Sequence, residues 1–322
     1  MRALVTGATG FVGSHLADTL HRRGDEVTAL ARSPRKAEAL ASLGVRVIVG
    51  DLHDANALDS AMGGQDVVYH VAGVVAARSE SEFFRANRDG TANLAAAAER
   101  NGSPRFVLVS SMAAAGPARR GVPLTGTEPP KPVTAYGRSK LAAEQVVTAS
   151  ALAWSIVRPP MVYGPRDREV LKVFRLARLG LAPVFGDGMQ QLSAIHAADL
   201  AQGLVAAGTA PRAIGRTYYA CHPQVFTSAE FVRAVGQVMG RRTIVLRIPP
   251  AVGRALLRLT EASARTVGQA TILTSDKANE FFQPAWTGDP EPLTRDTGWH
   301  AAHDLQSGLA DTYRWYRSTG WL

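Results

Sequence analysis

Tyr136 and Lys140 are the residues of this 322-residue sequence whose types and spacing best suit proton chemistry. They stand four residues apart in the stretch YGRSK, so a helix would place both on one face. A phenol titrates near pH ~10, and a neighbouring ammonium group lowers that pKa by favouring the phenolate. The pair therefore suits an acid/base role for Tyr136, although a Tyr-x-x-x-Lys spacing by itself is common and usually structural.

Two hydroxyl groups end a predicted strand upstream of this pair. Ser110 and Ser111 close the run FVLVSS, and either hydroxyl is able to hydrogen-bond a substrate oxygen. They add an oxygen-binding group to the proton chemistry that Tyr136 suggests.

The stretch VTGATGFVG places Gly7, Gly10 and Gly13 directly after a predicted strand and at the start of a predicted helix. Glycine is needed where backbone amides approach a pyrophosphate closely, and the helix N-terminus favours its charge. The strand–turn–helix context makes a dinucleotide site the better interpretation than a purely structural turn.

The end of the second predicted strand decides which dinucleotide is expected. An NAD site normally has an acidic residue there for the ribose 2′-hydroxyl, but this sequence has Arg32 in ALARSPRK. An arginine pairs well with a 2′-phosphate, so the sequence predicts NADP, with NAD possible. Asp51, at the end of the third strand, is expected to face the adenine; capping the next helix is the alternative.

Short β-branched runs alternate with longer amphipathic segments, which predicts βαβ units and a parallel sheet. The fold class is therefore α/β, a Rossmann-type doubly wound sheet with a smaller, mostly helical C-terminal lobe. We assign residues 1–165 and 193–222 to the dinucleotide-binding domain and residues 166–192 and 223–322 to the substrate-binding lobe. The Pro/Gly-rich stretch 116–134 is expected to be a loop that covers a site.

The composition is that of an ordinary globular protein, with 46% hydrophobic and 20% charged residues. The only cysteine, Cys221, excludes a disulfide within the chain and suits a reducing cytoplasm. We predict neither a signal peptide nor a membrane span. The net charge is +9, but the arginines are scattered and no recognition motif accompanies them, so no nucleic-acid partner is expected. His70 and His196 lack the spacing of a metal site and, like Cys221, are predicted to be buried packing residues.

The stretches TGATGFVG, GDLHD, HVAG, ANRDGTANL, SSMAAAG, YGRSK and RPPMVYGP occur together in one order and spacing. In this the sequence resembles the extended short-chain dehydrogenase/reductases, a NAD(P)-dependent epimerase/dehydratase-like family, over nearly its whole length. Its pattern is most similar to the dihydroflavonol-reductase-like and 3β-hydroxysteroid-dehydrogenase-like members.

The resemblance implies that Tyr136 is the catalytic acid/base and that Lys140 binds the nicotinamide ribose and tunes Tyr136. It also implies that Ser111 orients the reacting oxygen while hydride passes between C4 of the nicotinamide and a carbinol carbon. Asn87 would support the central helix, and a homodimer would form through a four-helix bundle of the helices around 87–101 and 137–150. The predicted dinucleotide contacts are Gly7, Thr9, Gly10, Phe11, Val12, Gly13, Arg32, Asp51, Leu52, Val71, Ala72, Gly73, Ser110, Tyr136, Lys140, Pro159 and Val162.

The substrate is expected to be hydrophobic. Family members that act on nucleotide-sugars typically have an asparagine where this sequence has Met161 and tend to have an arginine where it has Leu192. Dehydratases of the family have Asp-Glu after the catalytic hydroxyl, where this sequence has Met112 and Ala113. A buried diphosphate without a cation would be poorly stabilised. The predicted pocket residues are Met112, Ala113, Met161, Leu192, Phe185 and Trp286.

An apolar pocket of this kind suits a hydrophobic ketone or secondary alcohol, and hence an NADP(H)-dependent oxidoreductase. Two alternatives remain: a nucleotide-sugar epimerase with tightly bound NAD, and a non-catalytic NADP-binding regulator. Regulators of this family commonly lose the tyrosine or the lysine, and both are present here.

The stretch 249–265, PPAVGRALLRLTEASAR, reads as a basic amphipathic helix. Its apolar residues Val252, Ala255, Leu256 and Leu259 are predicted to pack on their own domain as a lid of the cleft. Peripheral contact with a membrane is the alternative.

Overall fold

The computed structural model describes residues 1–102, 104–266 and 268–322; at positions 34, 36, 37 and 39 it describes the backbone only. Strands and helices follow one another along these residues. The first half contains, in order, β1 (Arg2–Thr6), α1 (Phe11–Arg22), β2 (Glu26–Ala31), α2 (Pro34–Ala41), β3 (Arg46–Val49), α3 (Ala55–Met62), β4 (Val67–His70), α4 (Glu80–Phe84), a π-helix (Arg85–Asp89), α5 (Gly90–Arg100), β5 (Arg105–Val109), α6 (Met112–Ala115), α7 (Ala135–Ala149) and β6 (Trp154–Val157). The second half contains β7 (Met161–Tyr163), α8 (Glu169–Arg178), β8 (Leu181–Phe185), β9 (Gln191–Leu192), β10 (Ala194–His196), α9 (Ala197–Thr209), a 3-10 turn (Pro211–Ala213), β11 (Arg216–Tyr218), β12 (Phe226–Thr227), α10 (Ser228–Val238), β13 (Ile244–Ile248), α11 (Pro250–Thr266), α12 (Ala278–Phe281), β14 (Ala285–Trp286), α13 (Glu291–Thr297) and α14 (Leu305–Ser318).

A seven-stranded sheet forms the centre, in the order β3-β2-β1-β4-β5-β6-β11, and all its strands are parallel. The chain builds outward in one direction from β1 and then in the other from β4. The carboxyl ends of β1 and β4 therefore flank the point at which the strand order reverses, which is where sheets of this kind bind ligands. The predicted Rossmann-type α/β fold is confirmed.

The two faces of the sheet are covered by two separate hydrophobic clusters because successive side chains of a strand point to opposite faces. In β1, Ala3 and Val5 join the cluster under α1 and α9, whereas Leu4 joins the cluster under α3, α5 and α7. Both faces are thus apolar and helix-covered, as a parallel sheet requires.

A third cluster forms the core of the smaller lobe, with Phe174 of α8, Phe231 of α10 and Leu309 of α14 among its buried members. Short strand pairs, β8 with β13 and β9 with β12 and β14, accompany these helices. Leu293 and Trp299 lie in the segment assigned to this lobe, yet they pack into the cluster under α1 and α9. The last hundred residues therefore contribute to both cores.

Helix α11 corrects one expectation from the sequence. Val252, Leu256 and Leu259 are 50%, 46% and 65% exposed, while the buried residues of the helix are Gly253 and Leu257. The helix packs through Gly253, because only glycine lets its backbone approach so closely: a Cβ there would lie 2.8 Å from Cζ of Phe282. The predicted packing of the apolar stripe is therefore wrong, since that stripe faces outward.

None of the helices described is both long enough and apolar enough to cross a lipid bilayer.

Candidate active site

The turn between β1 and α1 brings backbone amides to the edge of the sheet. The amide of Gly10 donates to the Gly7 carbonyl at 2.9 Å, and Gly7 has a φ of +75°, which glycine adopts without strain. A Cβ atom on Gly13 would lie 2.1 Å from the Gly7 oxygen, so a larger residue would displace the turn. Gly10 is the N-cap of α1 and makes no side-chain cap, which leaves the first N–H groups of the helix for an anion. This geometry fits the pyrophosphate of a dinucleotide.

We expect Gly13→Ala to lower the affinity for NADP by at least about tenfold, because the new methyl group pushes the Gly7 carbonyl and its neighbouring amides out of place. Titration calorimetry with NADP measures the effect. Gly63→Ala is the matched control, since a Cβ on Gly63 would meet nothing closer than 4.0 Å. An unchanged dissociation constant for Gly13→Ala would contradict the role given to the turn.

The other predicted dinucleotide contacts are distributed along the same edge of the sheet. Those that come after the ends of β1, β2, β4 and β6 are Thr9, Phe11, Val12, Arg32, Val71, Ala72, Gly73, Pro159 and Val162. A Cβ on Gly7 would lie 2.7 Å from the Ala72 amide nitrogen, so the turn and the loop after β4 are in direct contact. Arg32 is exposed immediately after β2. The structure therefore brings these residues to the same edge of the sheet.

Asp51 and Leu52 follow β3 and play separate local roles. Asp51 Oδ1 accepts a hydrogen bond from the His53 amide at 2.7 Å. Asp54, not Asp51, caps α3, so the alternative in which Asp51 is the cap is wrong. Leu52 packs against Gly90 at the start of α5.

Ser111 and Tyr136 meet because α6 and α7 pack closely. Ser111 caps α6 by accepting from the Ala113 amide at 3.1 Å, and Thr134 caps α7. A Cβ on Gly137 would lie 2.4 Å from the Ala113 carbonyl oxygen, so only glycine permits this approach. The side chains of Ser111 and Tyr136 consequently lie close enough for the Ser111 hydroxyl to lower the pKa of Tyr136.

The ionisation of Tyr136 differs from the sequence-based expectation. Burial raises the pKa of Tyr136 to about 12; the hydrogen bond with Ser111 lowers it, and the charge of Glu280 raises it further. Lys140 Nζ donates to the Val109 carbonyl oxygen at 2.7 Å, and burial lowers the pKa of Lys140 to about 8. The ammonium group is directed to a backbone carbonyl of β5, and the lowering of the Tyr136 pKa by Lys140 remains a prediction.

Asn87 lies in the π-helix, an element found frequently at functional sites, and joins the loop after β4 to α7. Its Oδ1 accepts from the Val74 amide and its Nδ2 donates to Ser139 Oγ, both at 2.9 Å. A Cβ on Gly73 would lie 3.0 Å from Asn87 Oδ1 and 3.6 Å from Lys140 Nζ. Lys140 therefore faces the loop that is predicted to contact the dinucleotide.

Ser110 does not share the role of Ser111. Its hydroxyl donates to Glu144 Oε1 at 2.5 Å, inside the core. Glu144 also receives two hydrogen bonds from Arg158, at 2.8 and 2.6 Å, and both side chains are almost fully buried. Burial alone would lower the pKa of Arg158, but the hydrogen bonds and charge of Glu144 outweigh it and raise that pKa. The structure thus turns the Ser110 hydroxyl into the core, and contact of Ser110 with the dinucleotide remains a prediction.

Sequence reasoning missed the lid segment, which we define as residues 276–282. Lys277 Nζ lies over the ring of Tyr136, 5.6 Å from its centroid, and forms an ion pair with Glu280. Glu280 Oε1 accepts from Thr134 Oγ1 at 2.7 Å, which fixes the segment to the N-terminus of α7. The only available signal was the pair of opposite charges in SDKANEFF, and no motif linked it to a tyrosine 140 residues earlier.

The predicted pocket residues nearest Ser111 and Tyr136 are apolar and buried. Met112 and Ala113, the first two residues of α6, are buried, and Met112 packs in a cluster with Trp286. The loop 116–134 is held to the same place, since the Leu124 amide donates to the carbonyl oxygen of the residue after Trp286 at 2.9 Å. The structure therefore groups these apolar side chains around the end of β5.

Three further pocket candidates contact other parts of the molecule. Met161 and Leu192 are partly buried and pack against the third cluster. Phe185 stacks on Phe281 with ring centroids 4.6 Å apart, so it anchors the lid segment. The lining of a substrate pocket by these three side chains remains a prediction.

His70, His196 and Cys221 are buried packing residues, as predicted. His70 is hydrogen-bonded to Thr6 and Thr91 at 2.7 and 2.9 Å, and burial lowers its pKa to about 3, which keeps it neutral. Burial likewise lowers the pKa of His196 to about 4 and raises that of Cys221 to about 12. None of the three is poised for chemistry at neutral pH.

Three comparisons place this site among known proteins. The model of the NAD dependent epimerase/dehydratase family matches residues 3–221. A Caulobacter vibrioides protein named ceramide reductase is 34% identical over 320 residues, 99% of this chain and 95% of that protein. A Stigmatella aurantiaca protein named 4-hydroxy-2-methyl-3-oxo-4-farnesyl-3,4-dihydroquinoline-1-oxide ketoreductase is 31% identical over 96% of this chain and 95% of its own. The solved structure of MoeE5 in complex with UDP-glucuronic acid and NAD is 26% identical, with a TM-score of 0.79 over 99% of this chain and 100% of that one.

Proposed function

Because the chain belongs to the NAD dependent epimerase/dehydratase family, we propose that this oxidoreductase interconverts a hydrophobic ketone and a secondary alcohol with NADP(H). The observation that carries the proposal is the close packing of α6 on α7, which puts the hydroxyls of Ser111 and Tyr136 near each other beside the buried side chain of Met112. A proton donor, a group that orients an oxygen and an apolar wall lie in one place.

The roles of the chain's groups in ketone reduction follow from their positions. The hydroxyls of Ser111 and Tyr136 donate hydrogen bonds to the ketone oxygen and fix its position. With a pKa of about 12, Tyr136 holds its proton at neutral pH, and it passes that proton to the oxygen as negative charge develops there. Lys140, held at Val109 beside Gly73, binds the ribose. Hydride exchange with the carbinol carbon is the chemistry that the nicotinamide supplies when bound.

The apolar surroundings of the hydroxyl pair support a lipid-like substrate. Met112 is buried. The proposal also assigns to the pocket Met161 and Leu192, apolar residues at positions where the nucleotide-sugar members of the family have polar ones. The names of two relatives, a ceramide reductase and a ketoreductase of a farnesyl-bearing quinoline oxide, describe hydrophobic molecules. We propose the same substrate class for this chain.

The test is NADPH oxidation by the purified full chain with a panel of ketones that have long alkyl chains, followed at the absorbance of the reduced nicotinamide. We expect turnover with at least one such ketone and none with UDP-glucose. Conversion of UDP-glucose, without turnover of any ketone in the panel, would contradict the proposal.

A nucleotide-sugar epimerase is the second candidate, because MoeE5, bound to UDP-glucuronic acid and NAD, shares the fold over the whole chain. An epimerase keeps its dinucleotide bound between turnovers, so NAD retained through purification would favour it. A non-catalytic NADP-binding regulator would bind NADP but show no turnover in either assay. The presence of both Tyr136 and Lys140 argues against that regulator.

Replacement of Arg32 tests the dinucleotide preference. We expect Arg32→Gln to raise the KM for NADPH by at least about tenfold and to leave the KM for NADH nearly unchanged, because a charged hydrogen bond to the 2′-phosphate contributes ~1.5–3 kcal/mol. Arg32 is exposed directly after β2, so the variant should fold normally. Arg212→Gln, an exposed arginine near β11, is the control. An equal rise in the KM values for NADPH and NADH would show that Arg32 does not recognise the 2′-phosphate.

We also propose that the protein is a cytoplasmic homodimer assembled through α5 and α7. These two helices lie side by side on one face of the sheet, and both contribute buried residues to the same cluster. Ala92, Ala96, Ala142 and Val146 of these helices stay partly accessible, which suits close packing of four helices.

A further inference from the structure

The outward face of α11 is an apolar surface for which the proposed reaction gives no role. Val252, Leu256 and Leu259 recur at the spacing of one helix face, and they are 50%, 46% and 65% exposed. The helix is held to the protein by its other side, at Gly253 and Leu257. Three large aliphatic side chains together on a surface indicate contact with an apolar partner.

Positive charge is concentrated in the same part of the chain. Residues 239–266 contain six arginines and one glutamate, a net charge of +5 out of +9 for the whole sequence. Arg254 and Arg258 are exposed on α11 itself, and Arg241, Arg242 and Arg247 are exposed just before it. The partner of this surface is therefore anionic as well as apolar.

We propose that α11 lies in the interface of an anionic lipid bilayer, with Val252, Leu256 and Leu259 inserted and the exposed arginines on and beside the helix attracting the anionic headgroups. A helix with an apolar face and cationic residues is the form that lies in the plane of a membrane surface. A second copy of this chain would bring the same arginines against one another. A nucleic acid would bind the arginines but leave the aliphatic side chains in water.

Helix α11, which carries the proposed membrane-binding residues, also contacts the segment that lies over Tyr136. Arg254 lies over the ring of Phe282 at 5.7 Å, and Glu261 accepts from the Ser275 amide and hydroxyl at 2.9 and 2.6 Å. Helix α11 is thereby fastened to Phe282, the last residue of the lid segment, and to Ser275, the residue just before the segment, whose Lys277 lies over Tyr136. Arg254 and Arg258 also line, with Asp276 and its neighbours, a cavity of about 390 Å³ between the helix and that segment. A bilayer under α11 would place its acyl chains close to the cleft.

The experiment is co-sedimentation of the full chain with vesicles of phosphatidylcholine alone or mixed with phosphatidylglycerol, without substrate or dinucleotide. It depends on binding alone, so its outcome is independent of the proposed reaction. We expect binding to the mixed vesicles, weaker binding to phosphatidylcholine, and loss of binding as salt is raised. Failure to bind the mixed vesicles would overturn the proposal.

Variants separate the apolar and the cationic contributions. Leu256→Ser with Leu259→Ser should weaken binding to the mixed vesicles by at least about tenfold, since each loses several buried methyl or methylene groups. Arg258→Gln should weaken it about fivefold, and only when phosphatidylglycerol is present. The matched control is Ile214→Ser, whose side chain is 49% exposed beside β11. An equal loss for Ile214→Ser would contradict the proposal.

Light scattering and circular dichroism of the same variants complete the test. Unchanged helix content shows that the variants are folded, as expected for exposed positions. If the leucine variants dissociate an oligomer and leave vesicle binding unchanged, the face belongs to a second copy of the chain and the proposal is wrong.

Discussion

The Tyr136→Phe variant is expected to lose about 10²- to 10⁴-fold in turnover number while binding NADP as tightly as the unmodified protein. The substitution removes the hydroxyl that, in the proposed mechanism, gives a proton to the substrate oxygen. Phenylalanine keeps the ring that contacts Phe83, with centroids 6.0 Å apart, and lies under Lys277. The packing of the lid segment should therefore persist.

The control for this variant is Tyr313→Phe, which removes a hydroxyl from a ring that stacks on Phe174 in the smaller lobe. Single-turnover rates and NADP dissociation constants of both variants separate chemistry from binding. Retention of full turnover by Tyr136→Phe would exclude it as the proton donor. Loss of NADP binding together with turnover would indicate a structural role instead.

The direction of the pKa shift adds a pH signature to the same prediction. Burial raises the pKa of Tyr136 to about 12, so the phenol stays protonated around neutral pH and ketone reduction should not fall because of this group. Alcohol oxidation needs the phenolate, so its rate should rise with pH towards that pKa. Burial lowers the pKa of Lys140 to about 8, and dinucleotide binding should weaken above this pH as the ammonium charge is lost. Profiles of both directions against pH measure these trends.

The fold and the dinucleotide crevice were predictable because local patterns fix them. The alternation of apolar strands with amphipathic helices requires a parallel sheet, and the resemblance to the family is confirmed by its model over residues 3–221. The spacing of Gly7, Gly10 and Gly13 already specifies a tight turn before a helix. The structure adds the reason that position 13 requires glycine: a Cβ atom there would lie only 2.1 Å from the Gly7 oxygen.

The surroundings of Tyr136 were not predictable, because they depend on contacts between distant segments. The sequence does not tell which of Ser110 and Ser111 faces the tyrosine; the structure turns Ser110 to Glu144 and leaves Ser111 for the site. Lys277 and Glu280 interact with Tyr136, although both lie more than 140 residues further along the chain. Local periodicity carries no information on such pairs.

Helix α11 shows a different limit of the sequence pattern. Periodicity identifies an apolar stripe but does not say whether anything covers it. The packed side is marked by a glycine, Gly253, which contributes almost nothing to a hydrophobic pattern, and the apolar stripe itself is left exposed. The prediction failed because the helix docks through Gly253 and Leu257, which lie on a different side of the helix from the apolar stripe.

The Glu144→Gln variant is expected to lower the free energy of unfolding by about 3–5 kcal/mol, because it leaves the guanidinium of Arg158 buried without a counter-charge. The two side chains are only 7% and 5% exposed, so water does not replace the lost carboxylate. Ser110 also loses the charged acceptor of its 2.5 Å hydrogen bond. Urea denaturation followed by circular dichroism measures the change.

The pair of Glu169 and Lys172 supplies the control, since these side chains are 50% and 57% exposed. Glu169→Gln should cost no more than ~1 kcal/mol, because exposed ion pairs are screened by water. Replacement of both buried partners, Glu144→Leu with Arg158→Met, should recover most of the stability, because no unpaired charge remains. A Glu144→Gln variant as stable as Glu169→Gln would contradict the expected penalty.

The same variant should also impair turnover under conditions in which it is folded. Arg158 and Ser110 directly follow the neighbouring strands β6 and β5. Just beyond them, the Met112 amide donates to the Pro159 carbonyl at 3.0 Å. We therefore expect the ion pair to help hold Ser111 in position beside Tyr136. We expect a lower turnover number with unchanged NADP affinity, because the substitution alters contacts near Ser111 and Tyr136 and lies away from the glycine turn between β1 and α1. If turnover stays normal while stability falls, the ion pair stabilises the fold alone and Ser111 is positioned by its helix cap.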